Sequence, residues 1–426
     1  MPTFRGLPGF RDFYPEDFAV REHVVSAWRE VSRRYGFEEY DGPPLEPLEL
    51  YVEKSGAEIV RQLYNFEDKG GREVALRPEM TPTLARMVGA RARALRKPIR
   101  WFSVPQLFRY ERMQRGRLRE HFQWNVDLVG EEDVGADAEV LAVALDALRL
   151  LGLTARDVVA RVSDRRLLER LLAHAGVEPP AMAAVYAIID KLGREDEARI
   201  RERLATEAGL QPEVIQRIFR IFEHQDVAAL RQAYGGAEGV AAELERLEAY
   251  FERLAEMGLG DFVRFDPTIV RGLAYYTGIV FEIFDRRGEL RALCGGGRYD
   301  DLLRAVSDAD LPAIGFGMGD VVLTELLRER GLIPAVLRPV DYFLVAVTEE
   351  ERPLVRRLAH ELRDAGRSVL YALAPASVAR QFKEADARGA TRTVVIGPAE
   401  RAEGVALVRE MASGAEHRVR LDELVG

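Results

Sequence analysis

Five arginines, Arg109, Arg112, Arg115, Arg117 and Arg119, crowd into the stretch from Phe108 to Arg119. A guanidinium is a planar fork of donors that never loses its charge, so such a cluster suits carboxylate or phosphate oxygens. The flanks, Leu107 to Glu111 and His121 to Leu128, alternate in character with period two, which predicts two antiparallel strands joined by an arginine- and glycine-bearing loop. On the second strand Phe122, Trp124, Val126 and Leu128 share one face, and Gln123, Asn125 and Asp127 share the other. Arg109 and Glu111 point the same way on the first. A face carrying Arg, Glu, Gln and Asp makes a poor dry core, because each buried charge needs a partner. Two readings fit: a surface hairpin with a solvated arginine tip, or a site for a polar, anionic ligand.

Other runs carry chemistry of their own. In Arg77-Pro78-Glu79-Met80-Thr81-Pro82 the spacing predicts a helix start, with Thr81 as N-cap and Pro82 in the first turn, and Glu79 placed to hold an ammonium group. Alone, this is equally a capped helix without a ligand. Arg271 beside Gly272, followed by Tyr275 and Tyr276, reads either as packing with a polar tip or as part of a site. Three glycines in Cys294-Gly295-Gly296-Gly297-Arg298-Tyr299-Asp300 permit close backbone approach to a ligand or make a bulge. Gly315, Gly317 and Gly319 have a spacing reminiscent of dinucleotide loops, but no βαβ pattern precedes them.

Composition narrows the class. The chain has 426 residues, 47% hydrophobic and 31% charged, as in a globular protein of two or three domains. A net charge of −9 argues against coating a nucleic acid through the overall field, so any polyanion must be met locally. Cys294 is the only cysteine, which excludes an internal disulfide and a multi-cysteine zinc site and fits a reducing cytoplasm. No apolar run reaches the length of a membrane span, and Met-Pro-Thr-Phe-Arg-Gly lacks the apolar core of a signal peptide, so no membrane association and a cytoplasmic location are expected.

Taken together the runs resemble the class II aminoacyl-tRNA synthetases in the form carried by histidyl-tRNA synthetases. Phe108 to Gln123 is similar to motif 2, with Met113 where the family usually has Pro. Val270 to Glu282 and Cys294 to Asp300 resemble two family signatures, with Ala274 in place of the usual Asp. Gly315 to Asp320 holds the position of motif 3, yet its usual ATP-contacting arginine has no counterpart, because Asp320-Val321 stand where Glu-Arg is expected. The resemblance implies that Arg109 and Arg271 are catalytic, holding the α-phosphate of ATP from two sides. It places Glu79, Thr81, Gln123, Asp127, Tyr275 and Tyr276 around histidine, and Arg109, Glu111 and Arg117 around ATP. It implies Mg2+ with ATP, L-histidine and tRNA(His) as partners, and a homodimer. No metal site built from protein alone is identified.

These residues need elements to hold them. Asp17 opens an amphipathic helix with Val20, Val24, Trp28, Val31 and Tyr35 on one face and Gly36 as its stop, followed by a short strand at Phe37 to Tyr40. This resembles motif 1, the dimer element. Gln62 to Pro78 reads as a hairpin and Asp137 to Leu151 as an apolar helix. From Asp164 to about Gly258 the pattern is helical, with His174 and His224 as ordinary surface or packing residues. After Ile333 to Pro339, strands and helices alternate.

The expected fold is an α+β catalytic core, an antiparallel sheet with flanking helices of class II synthetase type, with a helical insertion and a C-terminal α/β domain. Its divisions are 1–165 and 259–332 for the core, 166–258 for the insertion, 333–339 for a linker and 340–426 for an anticodon-binding domain. Three other functions compete with a histidine–tRNA ligase. They are a synthetase-like regulatory subunit of ATP phosphoribosyltransferase, another class II synthetase, and a tRNA-sensing paralogue without catalysis.

Overall fold

The computed structural model describes residues 4–55, 60, 62–112, 114–192, 195–270, 276–334 and 340–425. The chain divides into two compact units, Met1–Ile333 and Pro334–Gly426.

In the first unit helix α1 (Pro15–Arg34) begins with Pro at its first position, where a missing N–H costs nothing. Glu16 and Asp17 in its first turn and Arg33 and Arg34 in its last complement the helix dipole. Gly36, at φ +71°, turns the chain out of it into β1 (Glu38–Glu39). A small antiparallel sheet follows, made of β2 (Leu45–Pro47), β3 (Asn65–Glu67) and β4 (Glu73–Leu76), with α2 (Glu49–Ser55) and α3 (Thr81–Arg91) beside it in sequence.

The main sheet takes β5 (Ile99–Ser103), β6 (Gln106–Phe108), β7 (Glu120–Val129), β8 (Val158–Asp164), β9 (Val263–Phe265), β10 (Ile279–Asp285), β11 (Cys294–Arg298) and β12 (Ala313–Gly319). Its order is β1-β5-β7-β12-β11-β10-β8-β9, with β6 also on β7. The centre is antiparallel, whereas the edge pairs β1 with β5 and β8 with β9 run parallel. The sheet is therefore mixed at its edges rather than antiparallel throughout. Each edge pair is joined by a long connection, the small sheet with α2 and α3 between β1 and β5 and a helical segment between β8 and β9, which permits parallel pairing where a hairpin does not.

Strand β7 is the axis of the sheet. Trp124, Val126 and Leu128 are buried on its back face, against α1 and α4 (Val134–Leu150). The rings of Trp28 and Trp124 stack with centroids 5.9 Å apart, and the Trp124 indole N–H donates to Ser32 Oγ at 3.0 Å. Helix α4 starts earlier than its apolar pattern suggests because Asp133 caps it, accepting from the Gly135 N–H at 2.7 Å.

Helices α5 (Arg165–His174), α6 (Pro179–Ile189), α7 (Glu197–Thr206), α8 (Pro212–Phe222), α9 (Val227–Tyr234) and α10 (Val240–Glu256) fill the predicted helical stretch. Asp164 caps α5 and also receives Arg246 of α10 at 2.5 Å, so one carboxylate ties the helical segment to the sheet. His174 and His224 both pack edge-on against Tyr234. Helices α11 (Leu302–Val306) and α12 (Asp320–Glu329) complete the unit. Among the described residues no single helix is long and apolar enough to cross a membrane.

The second unit holds β13 (Val340–Ala346), α13 (Arg352–Asp364), β14 (Val369–Tyr371), α14 (Val378–Ala387), β15 (Ala390–Ile396), α15 (Pro398–Glu403), β16 (Val405–Glu410), β17 (Glu416–Arg420) and α16 (Leu421–Val425). Its sheet order is β14-β13-β15-β16-β17, parallel over the first three strands. Gln381 is buried in this unit and closes both backbone bonds of Ala346, donating to its carbonyl at 2.9 Å and accepting from its N–H at 3.2 Å.

One charge pair in the first unit is fully enclosed. Arg298 of β11 and Asp137 of α4 are 2% and 1% exposed at the side chain and meet at 2.6 Å. Removing Asp137 leaves the buried Arg298 with Asp300, at 3.2 Å, and the Glu131 carbonyl, at 3.0 Å, to offset its charge, so the cost falls at the low end of the ~3–5 kcal/mol for breaking a buried pair. Asp137→Ala is expected to lower the stability of the first unit by that amount, read as a fall in denaturant midpoint at unchanged slope.

Candidate active site

Two cavities open on the front of the main sheet. The smaller, about 90 Å³, is lined by Glu79, Thr81, Arg109, Gln123, Asn125, Asp127, Tyr276, Tyr299 and the glycines of β11 and β12. The larger, about 680 Å³, takes Arg109, Glu111, Arg117, His121, Gln123, Arg161, Glu282, Arg291 and Val321 among its walls. Arg109, Gln123, Gly295 and Gly317 belong to both, so the cavities adjoin. The larger has the size of a cofactor site, and the smaller that of a side-chain pocket.

Every candidate site residue that the structure describes lines one of them: Glu79, Thr81, Arg109, Glu111, Arg117, Gln123, Asp127 and Tyr276. Arg271 and Tyr275 lie outside the described residues.

The small cavity exists because β11 and β12 have almost no side chains where β7 is polar. Gly315 pairs with Asp127 and Gly317 with Asn125 across the ladder. A Cβ on Gly315 would collide with the Asp127 carboxylate, and one on Gly317 would come within 2.8 Å of the Gln123 side chain. The glycines let Gln123 and Asp127 lie along the sheet surface. Gly295, Gly296 and Gly297 form an unbroken ladder with β10 and β12, not a bulge. Asp127 is buried and accepts from the Tyr299 hydroxyl. Tyr299 is a site residue that sequence reasoning passed over, although it lies inside the Cys294 to Asp300 run.

Two local expectations need correction. Strand β6 ends at Phe108, so Glu111 does not share a strand face with Arg109; it follows a tight turn in which its N–H donates to the Arg109 carbonyl at 2.8 Å. Thr81 is the first residue of α3 rather than its cap, since Met80 holds the cap position without a side-chain bond. That leaves the Thr81 side chain for the cavity.

Arg109 sits where the cavities join. Its N–H bonds to the Arg119 carbonyl at 2.9 Å, and its Nε donates to the Pro78 carbonyl at 2.9 Å, which ties the hairpin to the Glu79 segment. Glu111 pairs with Arg117. Burial, with Arg291 and Arg109 nearby, holds the Arg117 pKa below its ordinary value, although the group stays charged.

Behind the hairpin, Arg11 bridges Glu120 and Asp320, at 2.5 and 2.9 Å, and Asp320 also accepts from the Phe122 N–H at 3.0 Å. Burial raises the Asp320 pKa against the pull of Arg11. Asp320 thus joins the N-terminal stretch, β7 and α12, and the next residues, Val321 and Val322, give the large cavity an apolar wall.

The fold is that of a class II aminoacyl-tRNA synthetase. A family model described as histidyl-tRNA synthetase matches residues 9–320, and an anticodon-binding domain model matches 341–426. The chain belongs to the histidyl-tRNA synthetase family. It is 44% identical, over its whole length and 98% of the relative, to a histidine–tRNA ligase of Opitutus terrae. It is 41% identical to the chloroplastic/mitochondrial histidine–tRNA ligase of Arabidopsis thaliana, over 98% of this chain and 85% of that one. In fold it is similar to the histidyl-tRNA synthetase of Nostoc, with a TM-score of 0.86 at 24% identity over 99% of this chain and 98% of the other. It is also similar to a Bacillus halodurans structure titled as an ATP phosphoribosyltransferase regulatory subunit/histidyl-tRNA synthetase, with a TM-score of 0.76 at 25% identity over 93% of this chain and 99% of the other.

His121 faces this cluster of cations. Although it borders the larger cavity, burial of most of its ring, with Arg109 and Arg11 near, lowers its pKa to about 3. Between that value and the unfolded value near 6.5 the unfolded chain binds a proton that the folded chain does not. The contribution is therefore present above about pH 6.5 and is lost as pH falls towards 3. An NMR titration is expected to show the His121 ring neutral from pH 8 to pH 5, and His121→Asn to flatten the decline of stability below pH 6.5.

Proposed function

We propose that the chain is a histidine–tRNA ligase, which joins L-histidine to the α-phosphate of ATP and then passes the histidyl group to the 3′ end of tRNA(His). The observation that carries this reading is the adjoining pair of cavities, one narrow and carboxylate-lined, the other arginine-lined, with Arg109 between them. The first step needs no base. The histidine carboxylate is already ionised at neutral pH and attacks phosphorus in line; a carboxylate O–P bond forms as the P–O bond to pyrophosphate breaks. The residues position the reactants and offset developing charge. In the second step a terminal ribose hydroxyl of the tRNA attacks the histidyl carbonyl and AMP leaves.

Roles follow from place. Arg109 is assigned to the α-phosphate, with Arg271 as its expected partner from the opposite side. Glu79 and Thr81 are assigned to the ammonium group, Gln123 to orienting the amino acid, and Asp127, Tyr275 and Tyr276 to the side-chain end of the pocket. Glu111 and Arg117 are assigned to ATP. The larger cavity also fits magnesium carried by ATP, because Glu111 and Glu282 line it and offer the hard oxygen donors that Mg2+ accepts. When bound, the ion would draw charge from the non-reacting phosphates.

Residues 1–165 and 259–332 are assigned to the catalytic core, 166–258 to an insertion, 333–339 to a linker and 340–426 to anticodon binding. In the last unit a hollow of about 390 Å³ is lined by Arg352, Arg356 and Tyr371, side chains suited to phosphate and base stacking. This unit, matched by the anticodon-domain model over residues 341–426, favours the ligase over a regulatory subunit. The enzyme is expected to work in the cytoplasm as a homodimer, for which the exposed Phe4, Leu7 and Tyr14 offer apolar surface.

Histidine-dependent exchange of labelled pyrophosphate into ATP tests the reading. Exchange with histidine and not with other amino acids is expected; no exchange, or exchange indifferent to the amino acid, would overturn it. In the same assay Asp127→Ala is expected to raise the KM for histidine about ten- to a hundredfold, because a buried partner is left unmatched. An unchanged KM would move imidazole recognition elsewhere.

A further inference from the structure

We propose that Arg291, from the loop between β10 and β11, grips the β- and γ-phosphates of ATP, facing the apolar wall that Val321 and Val322 present. The inference rests on the ligase reading and names a binding residue within it.

The loop holds this arginine firmly. Asp285 accepts from the Leu290 N–H at 3.0 Å, and Leu293 donates to the Ile283 carbonyl at 2.8 Å. Leu290 and Leu293 are both buried, so the exposed Arg291 stands between two anchored neighbours. Its side chain crosses the large cavity towards the arginine hairpin. A Cβ on Gly116 would lie 3.8 Å from Arg291 Cδ and 3.2 Å from Val322 Cγ2, so the three residues meet at one corner. Val321 and Val322 bring no charge to that corner, and the cation comes from Arg291 across the cavity.

The charges nearby are unevenly matched. Glu111 already pairs with Arg117, and Arg161 lies over the Phe284 ring and 3.8 Å from Asp266. Among the described residues no carboxylate pairs with Arg291. Arg291 and Arg109 both lie near enough to Arg117 to add their repulsion to the burial that lowers its pKa. A polyanion relieves that repulsion. Position decides which part of it: Arg109 and Gln123 line both cavities, while Gly116, Arg117, Val322 and Arg291 line only the larger. The reacting α-phosphate belongs at the junction, and the leaving pyrophosphate belongs at the Arg291 corner.

Calorimetric titration of the full chain and of Arg291→Ala with Mg·ATP, and separately with AMP, tests this. Loss of a charge-assisted contact is expected to weaken ATP binding about ten- to a hundredfold. AMP, which lacks the β- and γ-phosphates, is expected to bind unchanged, and Arg291→Lys to recover part of the ATP affinity. ATP affinity within twofold of the parent would overturn the proposal, and so would parallel loss of ATP and AMP, the mark of a merely structural role. Because binding is read directly, a parent that fails in pyrophosphate exchange but shows the ATP-specific loss would count against the ligase reading and leave the Arg291 assignment standing.

Discussion

The main sheet depends on one strand being two different surfaces at once. On its back, β7 must bury Trp124, Val126 and Leu128; on its front, it must keep Gln123 and Asp127 polar and reachable. Period-two geometry makes this possible, but polar groups sunk into a sheet remain costly unless something satisfies them. The tyrosine hydroxyl meets that demand at Asp127, and the glycines of β12 leave room for both side chains. The tryptophan stack behind locks β7 in register, so the front-face residues are held by a rigid element rather than a loop.

Electrostatics follow the same division. Cations gather at the hairpin and cavity walls, and the carboxylates that balance them are of two kinds. Glu120 and Asp320 are buried and committed to Arg11, which fixes the hairpin against the N-terminal stretch and α12. Glu111 reaches the cavity itself. The structural carboxylates stabilise the scaffold, and the remaining excess of positive charge faces the ligand.

Much of this was legible from local pattern. The faces of β7, the helical stretch and the strand–helix alternation of the second unit all come from periodicity, a property of near neighbours. What pattern could not reach were partnerships across long separations: Arg11 with Asp320, Tyr299 with Asp127, and Arg291 with the hairpin. Period two says which face a residue takes and nothing about which distant strand will lie opposite. The failure at Glu111 has a nearer cause, because a turn at Tyr110 breaks the alternation that the sequence alone continues. Thr81 was misplaced by one residue because proline at the second helical position left Met80 to cap the helix without a side-chain bond.

The shared wall between the cavities has a thermodynamic meaning. Arg109 and Gln123 face both compartments, so occupancy of either changes the field and the geometry that the other ligand meets. Linkage makes such an influence mutual: whatever factor the amino acid lends to nucleotide affinity, the nucleotide must return to the amino acid in equal measure. Two recognition problems are thereby joined into one equilibrium, and a substitution at the partition would change the cooperativity between the substrates as well as the affinity for each.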